Sequence, residues 1–179
     1  TTAFTATQVG ELQVELAKMG FDSDQILASS NAVLALAAAS GTDLANAASI
    51  AAGTLRGFNL TASDTMRVAD VMASSFSNSS LDISKFQESM KQVAPIASTV
   101  GVSIEQASAS LAVLANRGIS GSLAGNQLKR IMSDLAQKTG KSYRESLTLT
   151  AKRLSEATSS AQKLAIAKEL VGDRAKGSL

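Results

Sequence analysis

The segment that opens Gly20–Phe21–Asp22–Ser23–Asp24–Gln25 and runs to Ala32–Val33–Leu34–Ala35 has a counterpart about eighty residues further on. There, Gly101–Val102–Ser103–Ile104–Glu105–Gln106 leads into Ala112–Val113–Leu114–Ala115. Each run ends in a glycine-containing turn, at Gly41–Thr42–Asp43 and at Gly118–Ile119–Ser120–Gly121. A glycine, a short polar cap and an apolar run make one helix–turn unit. A unit that recurs cannot bury its apolar face alone, so the chain is constrained toward stacked helices and away from an enzyme built round one pocket.

Glycine beside Ser, Thr or Asp punctuates nearly the whole chain. A first helix is predicted over Ala6–Met19, with Val9, Leu12, Leu16 and Met19 on one face. The second starts after a cap at Asp22 or Ser23 and stops at Ser40, where Gly41 can turn left-handed. The third follows a cap at Thr42 and carries the stripe Leu44, Ala47, Ala48, Ala51, Leu55, Phe58. Thr61–Ala62–Ser63–Asp64 fits a capping box opening a fourth helix, Ala62–Phe76. Ser77–Asn78–Ser79–Ser80 reads as a hinge loop. A fifth helix, Ile83–Val100, contains the single proline, Pro95, which should kink or divide it. Ser103 caps the sixth, with Ile104, Ala107, Leu111 and Leu114 inward. The seventh spans Leu123–Gln137, with Leu128, Ile131, Met132 and Leu135 inward. Polar helices follow over Tyr143–Glu156 and Ser159–Val171. The fold expected is all-α, a multi-helix bundle of repeated helix–turn–helix units. Residues 1–140 form a core helical domain, and 141–179 a basic helical extension packing on it.

Hydrophobic residues make up 45% of the chain but aromatics only 3%, with alanine dominant. Small side chains allow helix axes to approach closely. Cys and His are both absent. That removes thiolate and imidazole metal sites, thiol nucleophiles and the Ser–His–Asp triad. The stretch from Thr1 to Gly20 lacks the basic start and apolar run of a secretory signal. Ile26–Thr42 is uncharged but interrupted by Ser29, Ser30, Asn31 and Ser40, and a bilayer span needs about 20 mostly apolar residues.

The acids Asp22, Asp24, Asp43, Asp64, Asp82 and Glu105 all fall at helix starts, where they cap and complement the dipole rather than form a catalytic pair. Gly121–Ser122–Leu123–Ala124–Gly125 with Lys129–Arg130 only loosely resembles a phosphate loop. Three residues separate the glycines instead of four, and Asn126–Gln127 stands where Lys and Ser/Thr belong. Two glycines four apart read instead as a close helix contact. Charge is uneven, with eleven basic against five acidic residues from Asn126 onward. Lys129, Arg130, Lys138, Lys141, Arg144, Lys152 and Arg153 could meet phosphate as a weak, non-specific DNA contact. Tyr143 alone is available for base stacking.

Five motifs occur in order. They are Gly41–Thr42–Asp43–Leu44–Ala45–Asn46–Ala47; Arg67–Val68–Ala69–Asp70–Val71; Val93–Ala94–Pro95–Ile96–Ala97; the run from Leu114 to Ser122; and Val171–Gly172–Asp173–Arg174–Ala175. This succession resembles the core region of the tape measure proteins of tailed bacteriophages and prophages, across essentially the whole chain. The polar stretch from Ser142 to Ser160 departs from the family pattern.

The resemblance implies a structural component of the phage tail. Such a protein lies in the tail tube lumen, its length sets tail length, tube protein polymerises around it, and it is released at DNA ejection. The implied partners are tail tube and tail tip proteins and tail assembly chaperones, with self-association and weak membrane contact. The implied locations are the virion tail and, during assembly, the host cytoplasm. No catalytic residue, cofactor or metal ligand is carried over; Pro95 and the Gly118–Ser122 turn take structural roles. Because a tape measure is far longer, a piece of a larger parent is expected. Two other classes remain. In one, the Ala-rich hairpin Ile26–Leu55 inserts into the host envelope during genome delivery. In the other, a muramidase uses Glu11, Glu15 or Glu88 as its acid.

Overall fold

A computed structural model describes the backbone over residues 4–175 and the side chains over residues 4–170. It places α1 at Ala6–Lys18, α2 at Ser23–Ser40, α3 at Leu44–Gly57, α4 at Thr65–Ser77 and α5 at Ile83–Thr99. Then come α6 at Ile104–Asn116, α7 at Gly121–Thr139, α8 at Tyr143–Glu156 and α9 at Ser160–Ala175. A single 3-10 turn, Ala62–Asp64, precedes α4, and no strand occurs among the described residues. The chain is all-α.

Local sequence accounts for where the helices start. At α2 the Asp22 carboxylate accepts from Gln25 N–H while the Gln25 side chain accepts from Asp22 N–H, the reciprocal capping box. Thr5 with Gln8, Ser103 with Gln106 and Ser142 with Glu145 repeat it. Asp43 and Asp82 each accept from the backbone N–H three residues on. The cap of α3 is thus Asp43 and not Thr42, whose hydroxyl instead accepts from the Asn46 amide. An aspartate at that point gains from the helix dipole as well as from the hydrogen bond, and the hydroxyl gains only the bond.

Four helix ends share one geometry. Phe21 N–H donates to Leu16 O, Leu60 N–H to Leu55 O, Val102 N–H to Ala97 O and Ile119 N–H to Leu114 O. The residue before each donor is left-handed: Gly20, Asn59, Gly101 and Gly118. These are Schellman closures with an apolar residue just past the turn, and they fold each helix back on its predecessor. The recurrent unit seen in the sequence is this closure plus the following cap.

The stacking follows an alternating rule. Among odd helices, α1 packs on α3, α3 on α5, α5 on α7 and α7 on α9; among even ones, α2 packs on α4 and α4 on α6. The result is two layers, each touching the other through sequential neighbours, in the manner of a helical solenoid. Hydrogen bonds set the phase between successive units. Ser29 Oγ meets Thr65 Oγ1 across 36 residues, Asn59 Nδ2 donates to Ser98 Oγ across 39, and Ser80 N–H donates to Asn116 Oδ1 across 36. The helices α4 and α6 are parallel, because both Arg67–Glu105 near the start and Ser80–Asn116 near the end align them. The structural period is therefore half of the eighty-residue similarity.

The core is one continuous cluster running from Leu12 and Leu16 to Leu135, Tyr143 and Leu170. Every inward residue expected on α3, α6 and α7 is buried. Alanines at 47, 48, 51, 94, 97, 107 and 124 are buried as well, and their small size lets the layers close.

Three local expectations are corrected. The fourth helix opens with a 3-10 turn, and its α-helix starts only at Thr65. Pro95 does not divide α5, which runs unbroken to Thr99. Proline removes one N–H, and the remaining ladder, packed along Phe86, Met90, Val93 and Ala97, carries the helix past it. Ser77 belongs to α4, so the loop begins only at Asn78, and Asn116 Oδ1 accepts from Ser80 N–H within it at 2.9 Å.

One surface pair couples α4 to α6. Arg67 reaches Glu105 with two hydrogen bonds of 2.6 and 3.0 Å. They pull the Glu105 carboxyl from 4.5 to about 2, against the opposing effect of burial. A carboxyl held low in the folded state adds stability above its unfolded value and loses it as pH falls toward 2. Glu105→Gln is expected to cost about 0.5 kcal/mol at neutral pH, as for exposed ion pairs. Urea melts at stepped pH should show the gap closing between pH 4.5 and 2.

Candidate interaction surfaces

The helix contact expected at Gly121 and Gly125 is present. A Cβ on Gly125 would lie 2.6 Å from the Ser89 carbonyl oxygen and 2.9 Å from Ser89 Cα. Ser89 Oγ donates to Gly121 O at 2.7 Å and to Lys85 O at 2.8 Å. The stretch is helix α7 lying on α5, with no phosphate loop. A second close approach joins α3 to α5, where a Cβ on Gly57 would lie 2.6 Å from Ala94 Cβ.

Next to that approach, on the outer side of the odd layer, a groove of about 420 Å³ opens between α3 and α5. Its floor is Ile50, Gly53, Gly57, Met90 and Ala94, and Arg56 and Lys91 stand at its edge. A neighbouring depression of about 430 Å³ lies between Lys91 on α5 and Lys129 on α7. No carboxylate lines either one. On the even layer, a groove of about 530 Å³ separates α4 from α6, bordered by Val71, Ala109, Ala112 and Val113, with Asp70 and Glu105 on its rim. Ser108, buried beneath it, has a hydroxyl with no hydrogen-bond partner among the described residues.

The seven basic residues singled out in the sequence do not form one row. Lys129, Arg130 and Lys138 lie on α7, Lys141 in the following turn, and Arg144, Lys152 and Arg153 on α8. Arg153 is engaged with Glu169 through hydrogen bonds of 3.0 and 2.6 Å, and Lys138 donates to Glu169 O. Tyr143 is buried, its hydroxyl 3.0 Å from Ser110 Oγ, so its ring is withheld from base stacking. Burial also raises its hydroxyl above the usual range. Arg56 and Lys91 went unnoticed because single basic residues in apolar helices carry no local motif. Their spacing to each other and to Lys129, about 35 and 38 residues, matches the structural period and was the available signal.

The remaining candidates are dispersed. Glu11 and Glu15 lie on α1, where Glu15 pairs with Lys18 at 2.7 Å. Glu88 lies on α5, with its carboxylate over Gly121. None of the three borders a groove described above. Among the described residues no group of three or more acidic side chains is arranged to hold a metal ion. Among the described residues no single helix is long and apolar enough to cross a membrane; α2 and α3 pass that test only as a pair bent by 114°. Val33, Leu36, Ala47, Ala48 and Ala51 of that pair are buried in the core. The side chains of the Val171–Ala175 motif lie outside the described residues.

A family described as "Phage-related minor tail protein" matches residues 1–172. The tape measure protein of Pneumococcus phage Dp-1 is 38% identical over 138 residues, which cover 77% of this chain and 12% of that protein. The probable tape measure protein of Escherichia phage P2 is 29% identical over 142 residues, covering 79% of this chain and 17% of that protein. The chain thus spans less than a fifth of either relative's length. No solved structure matches it significantly. The chain belongs to the family of phage-related minor tail proteins.

Proposed function

We propose that this chain is a segment of a tape measure protein, acting in the assembly of a phage tail by occupying space rather than by turning over a substrate. The observation that carries the reading is the 38% identity to a tape measure protein across most of the chain. Its location is the lumen of the tail tube in the virion, and the host cytoplasm during assembly. Tube and tip proteins and the tail assembly chaperones are its partners, and it departs with the DNA at ejection. The parent's length sets the length of the tube that polymerises around it.

In-frame deletion of this segment from a phage that carries it is expected to shorten the tail, as measured by electron microscopy. At 1.5 Å per residue, extension as continuous helix over residues 4–175 corresponds to about 260 Å. Retention as stacked helices, the longest of which has 19 residues, gives a shortening of tens of ångströms. Tails of parental length and number would overturn the reading.

A further inference from the structure

Arg56 on α3, Lys91 on α5 and Lys129 on α7 follow one another across the odd layer, and Lys91 borders both depressions that separate them. None of the three makes an ion pair among the described residues, whereas Lys18, Arg67, Lys85, Lys152 and Arg153 all do. Arg56 and Lys91 border a largely apolar groove that includes Gly53, Gly57, Met90 and Ala94, and Lys91 and Lys129 border the next depression beside Pro95 and Ile96, so charge and apolar surface alternate along one face.

We propose that this face docks an acidic amphipathic helix of another protein, laid across the layer. Packed helices lie about 8–10 Å apart, so the cations should recur at about that interval. Along a docked helix, 8–10 Å is about five to seven residues, and within that range seven, two turns, returns to the same face. The complementary helix therefore carries a carboxylate at every seventh position to meet Arg56, Lys91 and Lys129. Between these it carries a leucine-sized side chain that drops into each depression. This is the helix-in-groove mode of recognition with an added charge register. Nucleic acid fits the face less well. It has no use for an apolar floor, three cations release few counterions, and no aromatic ring is offered for stacking. The inference takes from the proposed tail role only the source of the helix, so the binding test succeeds or fails apart from the tail-length experiment.

The probe is a synthetic, fluorescently labelled helical peptide with Glu at every seventh position and Leu midway between, titrated against the whole chain by anisotropy. Saturable binding that weakens with salt is expected, together with loss when the glutamates are replaced by glutamine. Lys91→Glu should lower affinity about tenfold, a rim charge turned repulsive. Lys141→Glu, the same charge change outside the row, should leave it unaltered. Gly53→Leu is the steric arm. A Cβ at Gly53 meets nothing within 4 Å, so the helix gains while the depression fills. Peptide binding should fall and the melting temperature should hold or rise. Three results would each overturn the proposal: no saturable binding, equal binding of the glutamine peptide, or tighter binding of a short DNA duplex that Gly53→Leu does not impair.

Discussion

Phe86→Ala is expected to be among the most damaging substitutions in the chain, costing about 3–5 kcal/mol of folding stability. Phe86 is fully buried in the middle of the stack, with its ring edge-on to Phe76 at 5.7 Å and 84° between planes. Truncation removes both the buried apolar area and the aromatic pair. The usual relief, in which long neighbouring side chains swing into the void, is limited in this molecule. Eleven of the 36 buried residues in the core cluster are alanines, which have no rotamer to change. The measurement is a urea denaturation midpoint with the slope held constant. A loss below about 1 kcal/mol would mean that the site collapses freely, contrary to the packing described.

Gly125→Leu is expected to destabilise by about 2–3 kcal/mol, by overpacking rather than by cavity formation. The atoms in the way are the carbonyl oxygen and Cα of Ser89, which belong to the backbone of α5 and cannot rotate aside. The change must push α7 away from α5, and with it the Ser89-to-Gly121 hydrogen bond. The contrast with Gly53 makes the test sharp. Both are glycines inside helices, and propensity alone favours replacing either by about 1 kcal/mol. Parallel thermal melts of Gly125→Leu and Gly53→Ala should shift in opposite directions. A stabilised Gly125→Leu protein would show that the helices separate at little cost.

The helices were legible because their ends are chemical. Asp22 with Gln25, Ser103 with Gln106 and Ser142 with Glu145 name their own boundaries, and Gly20, Gly101 and Gly118 mark the closures. Asn59 performs the same left-handed turn without being a glycine, so that closure passed unmarked. The arrangement of the helices was far less legible. It depends on Ser89 over Gly121, Ser29 against Thr65 and Asn116 beneath the Ser80 loop, contacts made by residues that look like ordinary surface polarity in one dimension. The half-period was hidden for the same reason. Alternate units keep similar letters, while adjacent ones keep only their backbone geometry. Arg56, Lys91 and Lys129 lie on three separate helices, so only the stack brings them to one face, whereas the C-terminal basic residues are dense along the chain itself. Family membership, by contrast, rested on motif order, which requires no geometry.

A stack whose members touch only adjacent members has no central keystone. Its rupture under tension should proceed unit by unit, because losing one hairpin leaves the contacts of the others intact. Each unit of about 36 residues would then surrender up to about 130 Å of contour on full extension, at about 3.6 Å per residue. Successive units joined by single polar pairs and small side chains therefore make a body that is firm when left alone and unspools in instalments when pulled.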